Sequence, residues 1–298
     1  MNELICFLEN QDVEYKTGKV LSSCTSIGIG GAAKFFLSPN SKEKLIKTLS
    51  FLYQNKIAYR LVGNMSNILP CDSEVETVIV STLKISNITV FGTEVYAECG
   101  VLFSKLLLLA SRHALGGAES LFGIPGTVGA MLCNNSGAYG ASVSDFLNNV
   151  SVYDASDASI TELRREEIGF FYRDSEIKRQ GLIVLDATFS FDSVSKNEID
   201  IKLKKIKKQR LDTQPIGMKT LGSVFKRTDK HPASYMIDRC GLKGARIGNI
   251  VVSPHHAGFF VNEGGGTAED FLRLAEMVKE KVFLKYGVIL QEEFEYLT

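Results

Sequence analysis

Residues 117–140 read GAESLFGIPGTVGAMLCNNSGAYG, and how this stretch is taken decides the fold. Glycines stand at 117, 123, 126, 129, 137 and 140, Gly116 immediately precedes the stretch, and Pro125 fixes one dihedral. It reads as neither a regular helix nor a regular strand, because glycine carries the largest entropy cost in either and proline removes a donor. What it can do is bring backbone N–H groups up to a ligand. Dense glycine without charge suits a pyrophosphate held by main-chain donors or by a helix N-terminus. The competing reading is an elaborate turn between two strands. Long loops in compact domains are usually functional, which favours the ligand cradle.

Working back toward the N-terminus, Val101–Leu115 reads as a helix that delivers the chain to this loop. Short strands are expected at Val78–Ser81, Ile85–Val90 and Val95–Cys99. Before them lies a second ligand-suited turn, Gly63-Asn-Met-Ser-Asn-Ile-Leu69, entered from a strand at Tyr59–Val62. Asn40 opens a helix with Glu43 three residues on, the capping-box spacing, and Leu45, Leu49, Leu52 and Tyr53 form its apolar stripe. Gly28–Ala33 fits G-x-G-x-x-A, but a polar stretch precedes it and the strand-like Lys34–Leu37 follows, so the dinucleotide fingerprint is rejected. Residues 1–20 read as a short helix and a lead-in. Residues 20–62 are thus βαβ-like, and 63–140 an α+β unit with ligand-facing turns at both ends.

Beyond the loop, strands are expected at Val150–Asp154 and Leu182–Phe191, with Phe170-Phe-Tyr-Arg-Asp-Ser175 between them. Glu198–Asp212 is a lysine-crowded helix whose charge is most simply a solvated face. Thr213–Gly217 breaks it and marks a domain boundary. Gly222-Ser-Val-Phe-Lys226 follows, then a helix at Ser234–Cys240 stopped by Gly241. Strands are expected at Ile250–Ser253 and Phe259–Asn262. Thr267 caps a long helix with Asp270 at its third position, and Gly287 ends it. Val288–Leu297 reads as a terminal strand with Val288, Leu290, Glu292, Phe294 and Tyr296 on one face.

Composition bounds the function. Lys+Arg and Asp+Glu are both 34, so the balanced charge argues against a nucleic-acid or membrane-surface binder. The six cysteines are scattered without a C-x-x-C and read as reduced residues of a cytoplasmic protein. The N-terminus has no basic n-region, and no apolar run is long enough to span a bilayer. No metal site is expected, since the adjacent His255 and His256 cannot both face one ion from a strand. Ser223 and Lys226 form S-x-x-K, the nucleophile motif of penicillin-interacting serine enzymes, but the companion K-T-G and S-D-N motifs are missing.

Taken together, these motifs resemble the UDP-N-acetylenolpyruvoylglucosamine reductase family, flavoenzymes that make UDP-N-acetylmuramate for peptidoglycan. The likeness runs from Thr25 to Phe294. It is most specific in Gly123-Ile-Pro-Gly-Thr-Val-Gly129 with Gly137-Ala-Tyr-Gly140. Tyr172-Arg-Asp-Ser175, Gly222-Ser-Val-Phe-Lys226, Leu242-Lys-Gly244, His256-Ala257 and Leu290-x-x-Glu293 follow in the family's order. The short span from Tyr172 to Gly222 is similar to the family's shorter type, which lacks an inserted substrate-covering segment.

The resemblance implies an α+β fold. A PCMH-type FAD-binding domain is expected over residues 1–215, in two α/β lobes of about 1–75 and 76–215, and a substrate-binding domain over 216–298. Non-covalent FAD is expected on Gly63, Asn64, Met65, Ser66, Asn67 and Ile68 and on Gly123, Ile124, Pro125, Gly126, Thr127, Gly129 and Ala130. NADPH is the implied hydride donor and UDP-N-acetylglucosamine enolpyruvate the substrate, with no obligate protein partner inferred. Hydride would pass from flavin N5 to C3 of the enolpyruvyl group.

The same resemblance gives the residues their roles. Arg173 matches the arginine that clamps the substrate carboxylate, where a guanidinium offers two parallel donors to growing charge. Ser223 matches the group that protonates C2. Glu293 matches the glutamate that assists there, protonated or bridged at the key step, with Glu292 the competing assignment. Tyr139, Tyr172, Lys226, Arg227, Lys243 and His256 match positions that meet substrate or nicotinamide nucleotide. The chain departs from the family at Met65 and Ala130, where glycine is preferred, and at Arg227-Thr228 and Asn249-Ile250. Two other functions remain open at this point: a flavin oxidase of another substrate on the same fold, and a serine acyl-enzyme using Ser223 and Lys226.

Overall fold

Ile183–Ser190 alternates well enough to be a strand, yet nearly all its side chains are buried, as expected of a strand covered on both faces. In the computed structural model, which describes residues 2–298, it is the central strand of a five-stranded antiparallel sheet. The order is Ser159–Arg164, Leu147–Asp154, Ile183–Ser190, Glu94–Glu98, Ile88–Phe91. The chain divides into two compact units, and this sheet belongs to the first, which holds the chain up to Lys16, Phe35–Asn64 and Thr77–Lys208.

The first unit contains helices α1 (Asn2–Asn10), α2 (Lys42–Gln54), α3 (Phe103–Arg112), α4 (Val128–Cys133) and α5 (Glu176–Arg179), and most of α6 (Lys196–Thr213). A smaller sheet pairs Tyr59–Val62 and the end of Ala32–Ser38 in parallel with Val78–Ser81. α2 buries Leu45, Leu49 and Leu52 as its stripe predicts, but Tyr53 is exposed. Its cap is Ser41, whose hydroxyl accepts from Lys44 N, one residue beyond the expected Asn40. α3 buries Phe103, Leu106, Leu107 and Ala110, and Phe103 meets Phe189 of the central strand edge to face at 5.5 Å.

Lys42 at the start of α2 joins two elements of this unit. Its ammonium lies 2.5 Å from Asp186 Oδ2 on the central strand and 2.9 Å from the Tyr96 hydroxyl. Burial works against the charge, but the Asp186 and Tyr96 contacts outweigh it and hold the lysine pKa above its ordinary value. Asp186 is only 7% exposed, so Lys42→Ala strands a buried carboxylate. We expect that variant to lose roughly 3 kcal/mol of stability, read from chemical denaturation. A loss below 1 kcal/mol would show that the pair is a solvated surface contact.

The second unit holds Thr17–Lys34, Met65–Glu76 and Gln209–Thr298. Helix α8 (Ala268–Tyr286) begins at Thr267, whose hydroxyl accepts from Asp270 N, and ends at Gly287 with φ 63°, both as the sequence predicts. Its stripe of Phe271, Leu274, Ala275, Val278 and Val282 is buried. Phe271 contacts Phe260 at 5.2 Å and Phe294 at 5.1 Å, and Phe260 contacts Phe225 at 6.1 Å. A short helix, α7 (Ala233–Arg239), ends at Gly241 with φ 71°.

The expected boundaries differ from these units in three places, the first being the junction, which falls after Lys208 and not after Pro215. Residues 17–34 and 65–76 fall with the C-terminal part. The physical reason is long-range pairing: Ile68–Pro70 runs parallel to Glu295–Leu297, and Asp72 accepts from Ala268 N at the start of α8. The terminal strand is also shorter than expected, Glu295–Leu297 instead of Val288–Leu297. The alternation in between arises from Leu290 and Phe294 entering the core, while Glu292 turns outward to pair with Lys279.

Candidate functional site

The glycine-rich stretch folds around α4, which the sequence reading did not anticipate. Thr127 starts it, extended and buried, with Oγ1 accepting from Ala130 N at 3.5 Å. Gly129 is tolerated inside the helix because it packs on the sheet: a Cβ there would lie 3.2 Å from Cys99 Cβ. Two amides of this loop are taken by the fold instead, that of Gly129 among those expected to face a ligand. Val128 N donates to Val101 O at 2.8 Å and Gly129 N to Cys99 O at 2.9 Å. Among the described residues, the Gly126 and Thr127 amides are left without a protein acceptor at the mouth of the loop.

The second turn meets this loop within the same unit. Asn64 Nδ2 donates to Pro125 O at 2.8 Å. Gly63 lies against the helix cap so closely that a Cβ would stand 2.4 Å from Thr127 Oγ1. A bare-backbone cradle beside two open amides at the start of a helix suits a pyrophosphate, so the residues present fit FAD. Gly63→Ala must either turn Thr127 off its cap or push the turn outward. We expect a stability loss of about 1–2 kcal/mol and visible loss of flavin on purification. Thr127→Ala in the same chain should cost less than the two single losses added together; full additivity in thermal melts would contradict the contact.

The other end of α4 carries the arginine. Phe170–Phe171 and Asp174–Ser175 pair as a tight hairpin with Tyr172 and Arg173 at its turn. Three side chains fasten the hairpin and the following α5 to the end of α4. Ser175 Oγ donates to Cys133 O at 2.8 Å, Lys178 Nζ to Asn134 Oδ1 at 2.8 Å, and Asn135 Nδ2 to Phe171 O at 3.0 Å. The Arg173 guanidinium lies 5.3 Å over the Tyr172 ring, and its backbone is left-handed at φ 57°. Tyr139, at φ 52°, and Asn135, at φ 38°, share that unusual conformation. Non-glycine residues there cost about 1–3 kcal/mol each and cluster at functional sites. Tyr139 and Tyr172 are both exposed.

Within the second unit, Ser223 and Glu293 lie on neighbouring strands of chain. Ser223 bridges Phe259, Phe225 bridges Glu292, and Glu293 N donates to Val224 O at 2.8 Å. Lys226 N is bonded to Gln291 O at 2.8 Å. Phe225, two residues after Ser223, and Phe294, next to Glu293, both belong to the aromatic core, and these anchors set the register. Asn67 joins the same group: its Nδ2 donates to Glu293 O at 2.9 Å, and its carbonyl accepts from Glu295 N at 2.9 Å. Ser26 Oγ donates to Thr220 O at 2.6 Å and Ser66 O at 3.3 Å, so the Met65–Ile68 half of the turn is built into this unit.

Met65 adopts φ 48° and is buried, which explains why glycine suits that position. His256 lies edge to face on Phe259 at 4.8 Å, and its Nδ1 accepts from Gly258 N at 3.1 Å. That bond puts the ring proton on Nε2, the donor end. Burial, helped by the Lys243 charge, lowers its pKa, so the imidazole is neutral at pH 7. Lys243 pairs with Asp238 at 3.0 Å, and Arg227 is exposed.

Two alternatives meet a different environment. Glu292 is engaged by Lys279 at 3.2 Å on the α8 side. Ser223 and Lys226 lie in extended chain, where residues three apart point to opposite faces, so the hydroxyl–amine pairing of an S-x-x-K helix is not formed. The tie from Asn135 to the Arg173 hairpin was not read from the sequence; the N-N doublet after the apolar α4 was its only signal. The six cysteines are free, and no described helix is long and apolar enough to cross a membrane.

Comparison with known proteins bears on both units. A family model described as FAD binding domain matches residues 33–164, and one described as UDP-N-acetylenolpyruvoylglucosamine reductase, C-terminal domain, matches residues 214–297. The UDP-N-acetylenolpyruvoylglucosamine reductase of Fervidobacterium nodosum is 39% identical over 279 residues, 92% of this chain and 89% of that protein. The Thermotoga maritima protein of the same name is 37% identical over 276 residues, 92% of this chain and 96% of that one. The crystal structure of the Thermus caldophilus reductase superposes with a TM-score of 0.80 at 29% identity, covering 96% of this chain and 99% of that chain. With relatives this similar along nearly its whole length, the chain belongs to the UDP-N-acetylenolpyruvoylglucosamine reductase family.

Proposed function

We propose that this chain is an FAD-dependent oxidoreductase that reduces UDP-N-acetylglucosamine enolpyruvate to UDP-N-acetylmuramate, a step of peptidoglycan precursor synthesis, with NADPH as hydride donor. The observation that carries the reading is likeness to proteins of that name at up to 39% identity over 92% of the chain. The cradle at Gly63, Gly126 and Thr127 supports it from the side of the cofactor. When bound there, FAD supplies two-electron chemistry, accepting hydride from the nicotinamide and delivering it to C3 of the enolpyruvyl group.

The chain's own residues do the rest. Gly63 and Asn64 with Gly126 and Thr127 hold the pyrophosphate. Arg173 binds the substrate carboxylate through its fork and stabilises the charge that grows on it. Ser223 gives its hydroxyl proton to C2, a transfer that suits an alcohol only because a carbanion-like carbon is so basic. Glu293 assists at the same enol. His256, neutral and carrying its proton on Nε2, serves as a hydrogen-bond donor to a phosphate or ribose, and Lys226, Arg227 and Lys243 supply positive charge toward the nucleotides. A nucleotide-sugar substrate and NADPH agree with a cytoplasmic protein that needs no metal.

The test is turnover with product identification. NADPH oxidation should require the enolpyruvyl sugar nucleotide, and the product should gain one hydrogen pair by mass. Oxidation that depends on oxygen and ignores the sugar nucleotide would point to an oxidase instead.

A further inference from the structure

Gly258 is buried, and both of its backbone polar groups are engaged. Its N–H donates to His256 Nδ1 at 3.1 Å. Its carbonyl accepts at 2.9 Å from Val224 N, the amide of the peptide that joins Ser223 to Val224. The imidazole lies directly on this glycine: a Cβ at Gly258 would stand 3.0 Å from His256 Cε1 and 3.1 Å from Nδ1. The ring also meets Phe259 edge to face at 4.8 Å, and the Phe259 backbone bridges Ser223. Two short routes therefore run from His256 to the Ser223 main chain, one through Gly258 and one through Phe259. Glycine has no side chain to restrict its dihedrals, so the direction of the Gly258 carbonyl depends on what holds its N–H.

We propose that His256 is a positioning residue for Ser223: its Nδ1 holds Gly258, and the Gly258 carbonyl holds the Ser223–Val224 peptide, so that the hydroxyl is aimed at the carbon it protonates. This rests on the function proposed above and deepens it. The Nε2 donor assigned there to a nucleotide is the other end of the same ring, and the two ends can be separated. His256→Asn puts a side-chain oxygen where Nδ1 stood, an acceptor for Gly258 N, and loses the distal donor. His256→Gln carries its carboxamide one bond further, to the Nε2 end, and leaves Gly258 N without its acceptor.

The readout is anaerobic reoxidation of NADPH-bleached holoprotein over a series of enolpyruvyl sugar concentrations. His256→Gln should slow the limiting rate about 10²-fold, as a small misplacement of a reacting group does, while bleaching by NADPH, which does not use Ser223, slows far less. His256→Asn should keep most of the limiting rate and need more substrate to reach it. In a Ser223→Ala background, His256→Gln should slow reoxidation little further, because it acts through the hydroxyl already removed. Equal slowing by the Asn and Gln variants, additive slowing on top of Ser223→Ala, or equal loss in both half-reactions overturns the proposal. So does a parent-like limiting rate in His256→Gln. A parent protein whose bleached flavin is not reoxidised by that substrate would instead overturn the proposed function itself, before any variant is made.

Discussion

Ser223→Ala is expected to leave bleaching of the flavin by NADPH unchanged and to slow its reoxidation by the enolpyruvyl sugar about 10²–10⁴-fold, the usual worth of a positioned proton donor. The hydroxyl is not part of the frame. What holds Ser223 in place is its backbone bridge to Phe259 and the burial of Val224 and Phe225 beside it. Stability should therefore stay within roughly 0.5 kcal/mol of the parent, as for other substitutions that remove no packing. A donor to C2 acts only after hydride has reached the substrate side, so the split between half-reactions is the diagnostic. Equal loss in both would remove Ser223 from that role and leave it as a structural residue of the strand.

Replacing Arg173 by glycine should move activity and stability in opposite directions. Loss of a charge stabiliser of this kind lowers turnover roughly 10²–10³-fold. The backbone at this residue is left-handed, φ 57°, a conformation that costs an ordinary side chain about 1–2 kcal/mol and glycine almost nothing. Arg173→Gly should thus melt no lower than the parent, provided the Asn135, Ser175 and Lys178 ties still hold the hairpin. Added guanidinium should restore part of the lost turnover, and Arg173→Lys should restore less than its retained charge suggests, because an ammonium lacks the planar fork. A variant that loses both stability and flavin would show that Arg173 is structural. Backbone strain at the residue that carries the charge is the pattern expected of a functional position.

Much of this was readable in the chain because local chemistry agreed with tertiary need. Thr267, Asp270 and Gly287 bracket α8 by capping alone, and Tyr59–Val62 is bounded by its own turn. Other elements were hidden for identifiable reasons. Glu14–Val20 and Ser159–Arg164 are polar, mostly exposed strands with no apolar alternation to betray them. The second is signalled only by its turn, where Asp154 and Asp157 accept from Ser156 N and Ser159 N. α4 was masked by Gly129, whose lack of a side chain serves contact with Cys99, a partner no local window contains. The same holds for the discontinuous units, since Ile68–Pro70 finds its mate at the far C-terminus.

For the site, residue types were legible and their support was not. Arg173, Ser223 and Glu293 stand in recognisable motifs, but the ties that orient them come from distant chain. Asn135 holds the Phe171 carbonyl, Asn67 holds the Glu293 carbonyl, and phenylalanines beneath fix both strands. Spacing also does not show that Glu292 pairs with Lys279 of α8, since that partner lies on a separate element.

The central claim is that this chain holds a flavin that relays a hydride from a nicotinamide nucleotide to an enolpyruvyl sugar. Anaerobic stopped-flow spectroscopy of the purified holoprotein tests it most directly. NADPH should bleach the flavin band, and UDP-N-acetylglucosamine enolpyruvate added next should restore it without oxygen. A flavin that bleaches and stays bleached in the presence of that substrate, or a protein with no flavin band, would contradict the account.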